Sequence, residues 1–278
     1  MRLTDMSGSL VCVGTGMTLG AHISPISKSY IEQAEVVFSL MANGFSERWL
    51  ESMNSDVRSL QSHYEEGKNR NITYNEMVDV ILSEVRRGKK VVTAFYGHPG
   101  VFSCISHRAI TQAKLEKLPA MMEPGISAED CLYADLGIDP GKTGCCHYET
   151  SQFMFYKRNI DPSAYLILWQ VSLAGDESLA KFSTGNAYRK VLVDLLLEHY
   201  PSDHQIILYQ AKGIAIDTMR EDRILLSELV TAELFMHTTL VIPPSKKMQP
   251  NDKVLALLAE IDKQEDKQRN RPKLSLVL

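Results

Sequence analysis

Short apolar runs rich in β-branched residues alternate along the first half of the chain with segments of helical periodicity. The runs predict five buried strands, at residues 10–13, 36–40, 57–60, 91–95 and 120–122. Between the last three, Thr73 can cap a helix that ends near Gly88, and a second helix is predicted over residues 106–116. The apolar positions of the first helix are Met77, Val80, Ile81 and Val85. Because strands alternate with helices, we expect a mostly parallel sheet.

A second set of elements follows a break at Pro140, Gly141 and Gly144. It comprises strands at 165–171, 205–210 and 239–242, and a helix over 187–199 with apolar positions Val191, Leu192, Leu195 and Leu196. A short helix over 252–261 and a solvated, mobile charged segment over 262–273 end the pattern. The chain therefore predicts an α/β protein of two α/β domains, at residues 1–125 and 126–250, with a helix and charged tail at 251–278.

Composition narrows the class of protein. The 278 residues are 44% hydrophobic and 23% charged, with a net charge of −4 and a pI of about 6.1, which argues against broad binding to nucleic acid or anionic lipid. No apolar run approaches the ~20 residues of a membrane span, and the start carries no secretion signal. We therefore expect a cytoplasmic protein that contacts neither nucleic acid nor membrane, with its five cysteines reduced. Cys145-Cys146-His147 is a poor match to zinc spacing, and a plain loop is the favoured interpretation.

Glycines follow the first predicted strand, at Gly14, Gly16 and Gly20. Their spacing is one residue too long for the dinucleotide-binding fingerprint, and Ser39 and Leu40 stand where that fold carries a ribose-binding acid. A tight strand-to-helix turn accounts for them. Close approach of the backbone to some ligand stays open.

A second turn, Tyr96-Gly97-His98-Pro99-Gly100, ends the fourth predicted strand. Two glycines and a proline force a tight turn there. Since ligands of open α/β sheets bind at the carboxyl ends of strands, this turn is a predicted binding edge.

Four motifs together carry a family resemblance: VGTGM, YGHPGVF, EPGISAEDCLYADLGIDP and VIPP. The chain resembles the tetrapyrrole methylase superfamily over roughly residues 8–250. Within it, YEEGKNRNITYNEM, residues 64–77, is similar to the borosin peptide backbone N-methyltransferases. The resemblance implies two α/β domains that hold S-adenosylmethionine, released as S-adenosylhomocysteine, in the cleft between them. It also implies a homodimer whose loops embrace.

By the same resemblance, the methyl donor is contacted by Tyr96, His98, Val101, Ser127, Ala128, Gln170, Tyr209, Ala211, Thr238 and Thr239. A helix predicted to begin near Ser127 can offer backbone N–H groups to the donor's carboxylate. Gln170 and Tyr209 end predicted strands, at the expected mouth of the cleft. Simpler roles stay open for several of them: His98 can cap a turn, Gln170 can be a satisfied buried amide, and Thr238 and Thr239 can be ordinary strand residues.

The resemblance assigns catalysis to Tyr64, Arg70 and Tyr74. A backbone amide nitrogen is barely nucleophilic because its lone pair is delocalised, so its methylation calls for a base near the N–H and a donor at the carbonyl oxygen. Arg70 supplies fixed charge and is expected to lower a tyrosine pKa. The sequence leaves open which tyrosine takes the proton. Gln61 replaces a further tyrosine of some relatives, and a loop that merely solvates a helix start is the alternative to a catalytic segment.

The substrate has three candidate classes. The chain stops shortly after Pro244, so we expect a separate precursor peptide, in a homodimer or a heterotetramer with it, rather than a fused one. The final residues LSLVL would resemble a methylated core, although a frayed end or docking strand accounts for them too. A tetrapyrrole macrocycle is the second class, and a catalytically silent protein that binds peptide or donor is the third.

Overall fold

The computed structural model describes residues 8–269, and its first sheet is entirely parallel. Five strands lie in the order β3-β2-β4-β1-β5. They are β1 (Ser9–Gly14), β2 (Val36–Leu40), β3 (Val57–Ser59), β4 (Lys90–Phe95) and β5 (Ala120–Met122). The predicted strands and their parallel arrangement are confirmed, each bound to within one residue.

Helices cover both faces of this sheet: α1 (Pro25–Gln33), α2 (Gly44–Glu51), α3 (Arg70–Arg86) and α4 (Cys104–Leu115). Side chains alternate along β1, so Leu10 packs with α3 and α4 while Val11 packs with α1 and α2. The predicted start of α3 is wrong. Asn69 caps it by accepting a hydrogen bond from Asn71 N at 2.9 Å, and Thr73 is buried one turn inside the helix.

The second sheet is mixed, in the order β6-β7-β10-β8-β9, and only β6 and β7 are parallel. Its strands are β6 (Cys145–Glu149), β7 (Tyr165–Trp169), β8 (Gln205–Gln210), β9 (Arg220–Leu225) and β10 (Thr239–Ile242). The loop expected at Cys145 and Cys146 is wrong, because these residues form β6. Within residues 8–269, β6 and β9 are the edge strands of this sheet, and neither CCHYE nor REDRIL contains the β-branched apolar run that predicts a strand.

Helices α5 (Ala128–Leu136), α6 (Pro140–Thr143), α7 (Thr150–Phe155) and α8 (Asn186–Leu197) accompany this sheet. Of the apolar positions predicted for α8, Leu192 and Leu196 are buried and Val191 is half exposed. Helix α9 (Asp252–Arg269) extends beyond the predicted end at 261 into the charged segment, where the described side chains are exposed as expected of a solvated segment. The LSLVL end lies outside the described residues.

The carboxyl edge of the first sheet faces the second half of the chain. The turn after β1 contributes Leu19 N, which donates to Gly213 O at 2.9 Å. The turn after β4 contributes Phe102, whose ring centroid lies 5.5 Å from that of Trp169. The division at residue 125 remains a prediction, while the elements of each sheet are contiguous in sequence. Across residues 8–269, every helix is too short or too polar for a bilayer crossing.

Candidate active site

Three glycine turns pack backbone to backbone at the carboxyl edge of the first sheet. A Cβ on Gly14 would lie 2.3 Å from Gly97 O and 2.9 Å from the Cα of Gly125. Gly16 N donates to Gly97 O at 3.1 Å, and Gly97 N donates back to Gly16 O at 2.9 Å. Gly14 is therefore required by neighbouring backbone, which supports the tight turn expected from the sequence.

Tyr64 and Tyr74 come together beside these turns. Tyr64 follows a short 3-10 turn after β3, and Tyr74 lies in the second turn of α3. Their ring centroids are 6.3 Å apart and the planes meet at 86°, an edge-to-face pair that packs half-buried against the first core. Gln61, in place of a third tyrosine, donates its amide to Met41 O at 2.6 Å.

Arg70 opens α3 and binds the second half of the chain. Its Nη2 lies 3.2 Å from the buried Asp176 Oδ2, and its Nη1 donates to Lys181 O at 2.7 Å. The Arg70 side chain is only 17% exposed. Arg70 therefore carries a counter-ion and is not a free cation in the cleft.

The tyrosine pKa values run against the expectation from sequence. Burial raises the pKa of Tyr64 far above its ordinary value. Burial also raises the pKa of Tyr74, although Arg70 and the neighbouring hydroxyl of Tyr64 pull that pKa down. The expected net lowering by Arg70 is wrong, because loss of water around the phenols outweighs a cation already paired with Asp176.

The turn after β4 presents two of its three predicted donor contacts. Tyr96 and Val101 are 36% and 37% exposed, and the Tyr96 ring lies 6.2 Å, centroid to centroid, from that of His237 in the other half. His98 Nδ1 accepts a hydrogen bond from Gly100 N at 2.9 Å. One nitrogen of His98 thus caps the turn, and only the other is free for a ligand.

The start of α5 is closed by a capping box between Ser127 and Asp130. Ser127 Oγ accepts from Asp130 N at 3.3 Å, and Asp130 Oδ2 accepts from Ser127 N at 2.7 Å. The Asp130 carboxylate therefore already accepts the Ser127 backbone N–H. The contact of Ser127 with the donor stays a prediction, and Ala128, half-buried, has its backbone N–H at the first helical position.

The second-half positions divide into exposed and buried. Gln170 is exposed, so it is not a buried amide. Its backbone is in the left-handed conformation (φ 57°), and β7 therefore ends at Trp169 rather than at the predicted residue 171. Ala211 is half-buried. The side chains of Tyr209, Thr238 and Thr239 are all buried. The Tyr209 hydroxyl donates to Asp135 Oδ2 at 2.7 Å rather than facing the cleft.

Thr238 serves the loop around it. Its Oγ1 accepts from Gln210 Nε2 at 2.6 Å and from Phe235 N at 2.8 Å. Thr239 begins β10 opposite Tyr209. These contacts support an ordinary structural role for both threonine side chains.

Comparison with known proteins decides the family. Residues 9–227 match the family model described as Tetrapyrrole (Corrin/Porphyrin) Methylases. The chain belongs to the tetrapyrrole methylase family. A solved uroporphyrin-III-C-methyltransferase from Thermus thermophilus shares the fold of this methylase, with a TM-score of 0.59 at 18% identity over 86% of this chain and 93% of that one.

Curated relatives of this methylase carry peptide names. It is 40% identical over 258 residues to a Gymnopus fusipes protein named methyltransferase/ribosomally synthesized cyclic peptide gymnopeptides precursor. It is 38% identical over 244 residues to a Coprinopsis marcescibilis protein named methyltransferase/ribosomally synthesized type I borosin cyclic peptide precursor. The matches cover 91% and 86% of this chain but 61% and 62% of the relatives. The methylase thus spans about three fifths of their length.

The accessible residues among the predicted donor contacts fit the methyl donor that the family implies. An open site needs accessible apolar and polar groups. Both halves of the methylase supply these, through the exposed Tyr96, Val101 and Gln170 and the half-buried Ala211. The strained backbone of Gln170 is the kind of feature that persists at ligand sites. Among residues 8–269, no three His, Cys, Asp or Glu side chains are grouped to hold a metal ion.

Three residues beside the tyrosine pair escaped sequence reasoning. Cys104 packs with the tyrosines, and Arg108 lies with its guanidinium carbon 5.8 Å from the centre of the Tyr74 ring. Their spacing of four on α4 was an available signal that they share a face. Asp176 gave no signal, since nothing in its surroundings in the sequence marks it.

Proposed function

We propose that this methylase transfers a methyl group from S-adenosylmethionine to backbone amide nitrogens of a ribosomally made precursor peptide, supplied as a separate chain. One observation carries the proposal: Tyr64 and Tyr74 form a half-buried edge-to-face pair beside Arg70. The peptide-precursor names of relatives near 40% identity support it.

The raised pKa values give the two tyrosines different roles. Tyr64 stays protonated at neutral pH because burial raises its pKa, so its O–H can donate to the carbonyl oxygen as negative charge develops there. Tyr74 must first release its own proton to solvent and can then take the amide proton as a phenolate; Arg70 and the Tyr64 hydroxyl favour that phenolate against the effect of burial. The positive charge of Arg70 favours the Tyr74 phenolate. Hydrogen bonds to Lys181 O and Asp176 fix the orientation of the guanidinium.

The donor contributes an electrophilic methyl on a sulfonium, which needs no activation by the protein. Tyr96, Val101, Gln170 and Ala211 would hold it, with His98 through its second ring nitrogen. Tyr209, Ser127, Thr238 and Thr239 support these residues from behind. Ala128 would contribute its backbone N–H.

The family resemblance supports a homodimer, which could bind the precursor as a heterotetramer. Light scattering with and without peptide would test this assembly.

The decisive experiment uses the purified chain, S-adenosylmethionine and the precursor peptide encoded beside it. Mass spectrometry should find products heavier by one methylene per reacted amide, located on backbone nitrogens by fragmentation. Tyr74→Phe should abolish product while donor affinity, measured by calorimetry, stays within about twofold. Tyr156→Phe, at an exposed tyrosine remote in sequence from the cleft turns, is the matched control and should retain activity.

Different results would point to the remaining classes of function. A spectral change with uroporphyrinogen and none with peptide would replace the proposal by tetrapyrrole methylation, for which the solved structure supports the fold alone. Binding of donor and peptide with no product from either substrate would indicate a silent binding protein. A large loss of donor affinity in Tyr74→Phe would contradict the role given to Tyr74.

A further inference from the structure

Asp176 is a buried carboxylate whose partners belong to both halves of the chain. It is 1% exposed. Its oxygens accept hydrogen bonds from Ser178 Oγ at 2.5 Å and Lys181 N at 3.1 Å, and pair with Arg70 Nη2 at 3.2 Å. Burial alone would raise the pKa of Asp176, but these partners outweigh it and hold the pKa below its ordinary value. The carboxylate is therefore charged where it meets Arg70.

The loop that follows Asp176, residues 178–181, also binds residues 67–70, the segment that contains Arg70. Gly67 N donates to Ala180 O at 2.9 Å, and Arg70 N donates to Leu179 O at 2.8 Å. Asn69 Nδ2 donates to Ser178 O at 2.9 Å, and Arg70 Nη1 donates to Lys181 O at 2.7 Å. Each carbonyl from 178 to 181 thus accepts from the segment 67–70, and Leu179 holds a strained positive φ of 54° to do so.

We propose that Asp176 is the positioning residue for peptide methylation, which fixes Arg70 against the second half of the chain and limits how strongly its charge acts on Tyr74. This rests on the proposed function. Without Asp176, the guanidinium would lose its counter-ion and its fixed direction, while every group that touches donor or peptide would remain.

The charges around Tyr74 and Asp176 determine the direction in which the pKa of Tyr74 should move when Asp176 is replaced. Tyr74 is faced by Arg70 on its own helix, by Cys104 and Arg108 on α4, and by the phenols of Tyr64 and Tyr96. Asp176 is faced by Arg70 and Lys181. Removing the Asp176 charge leaves Arg70 uncompensated, so the pKa of Tyr74 falls and the phenolate forms at lower pH.

Asp176→Asn keeps the side-chain size and removes the charge. We expect kcat for peptide methylation to fall roughly ten- to hundredfold, because misplacement of a catalytic group is costly, with the donor dissociation constant within about twofold. The pH at which the rate rises should move down by roughly one unit. Asp176→Glu keeps the charge and should keep that pH. Asp194→Asn, on an exposed carboxylate of α8 paired with Lys190, is the control and should change neither.

Amide hydrogen exchange provides a readout that needs no substrate. Exchange at Gly67 and Arg70 should quicken in Asp176→Asn, because both amides donate to the loop that Asp176 organises. Should that variant not fold, Ser178→Ala, which removes one donor to the same carboxylate, should show the same change more weakly.

The results separate the two proposals. A fall in kcat with an unchanged pH profile, or unchanged exchange at 67–70, would overturn the positioning role of Asp176. Wild-type protein that methylates no peptide would overturn the proposed function, and an exchange change in Asp176→Asn would then still uphold the structural part of the inference.

Discussion

Replacing Gly14 by alanine tests whether the glycine turns are required by each other rather than by a ligand. The added Cβ would meet Gly97 O at 2.3 Å, Gly125 Cα at 2.9 Å and Pro99 Cδ at 2.9 Å. Two of these atoms belong to backbone, which cannot rotate away as a flexible side chain can. The three turns must therefore separate by roughly 1 Å, since carbon and oxygen atoms pack at about 3.5 Å.

The magnitude follows from overpacking of a tightly packed region. Such insertions cost about 1–3 kcal/mol, and more where backbone must move, so we expect about 3 kcal/mol for Gly14→Ala. At roughly 2–4 °C per kcal/mol for a chain of this size, the melting temperature should fall by about 6–12 °C. The paired hydrogen bonds between Gly16 and Gly97 would lengthen as well.

Gly44→Ala is the matched control for the same chemical change. Gly44 opens α2, and a Cβ there has no heavy atom within 4 Å. This variant should be neutral or more stable by up to about 1 kcal/mol, because alanine restricts the unfolded chain. The assay is thermal and urea denaturation of both variants, followed by donor calorimetry. If Gly14→Ala and Gly44→Ala have the same melting temperature, the three turns do not approach each other as closely as described.

Three further predictions test the site's surroundings. Tyr209→Phe removes the hydroxyl that donates to Asp135 and should lower the free energy of unfolding by about 1–2 kcal/mol, with donor affinity nearly unchanged by calorimetry. Ser127→Ala removes the cap of α5 and should cost about 1 kcal/mol in urea denaturation. Hydrogen bonding from Lys89 lowers the pKa of Glu84 from 4.5 to about 2. The charged Glu84 therefore stabilises the folded state fully above about pH 4.5, and this stabilisation is lost as the pH falls toward 2. The difference in free energy of unfolding between wild type and Glu84→Gln should narrow over that range.

Strand position was predictable where burial leaves a continuous apolar run. Strand β4, buried on both faces in a parallel sheet, reads as such a run and was placed to within one residue. The edge strands β6 and β9 lack a β-branched apolar run, and pairing with a neighbouring strand, rather than composition, determines where they lie. The start of α3 was misplaced for a related reason: Thr73 has capping chemistry, but the helix begins at the earlier Asn69 and buries Thr73.

The site was predictable only where its residues are near in sequence. Tyr64, Arg70 and Tyr74 fall within one segment, and a single motif contains all three. Asp176 lies 106 residues after Arg70, and no periodicity or spacing connects positions so far apart. Tyr209 shows a second limit of the sequence. Its place at the end of a strand predicted that it faces the cleft, but its side chain is buried in the core of the second sheet.

The ion pair between Arg70 and Asp176 changes how an amide could be activated here. A free guanidinium would stabilise negative charge on the carbonyl oxygen directly, but this one already faces a buried carboxylate at 3.2 Å and a carbonyl at 2.7 Å. In the proposed reaction, stabilisation of the oxygen would come from a phenol that stays protonated, and burial raises the pKa of Tyr64 in the direction that keeps it so. Arg70 retains influence over Tyr74, the group whose deprotonation it favours. A protein that used Arg70 itself as the oxygen donor would have to break the contact with Asp176, and Asp176→Asn would then be faster rather than slower.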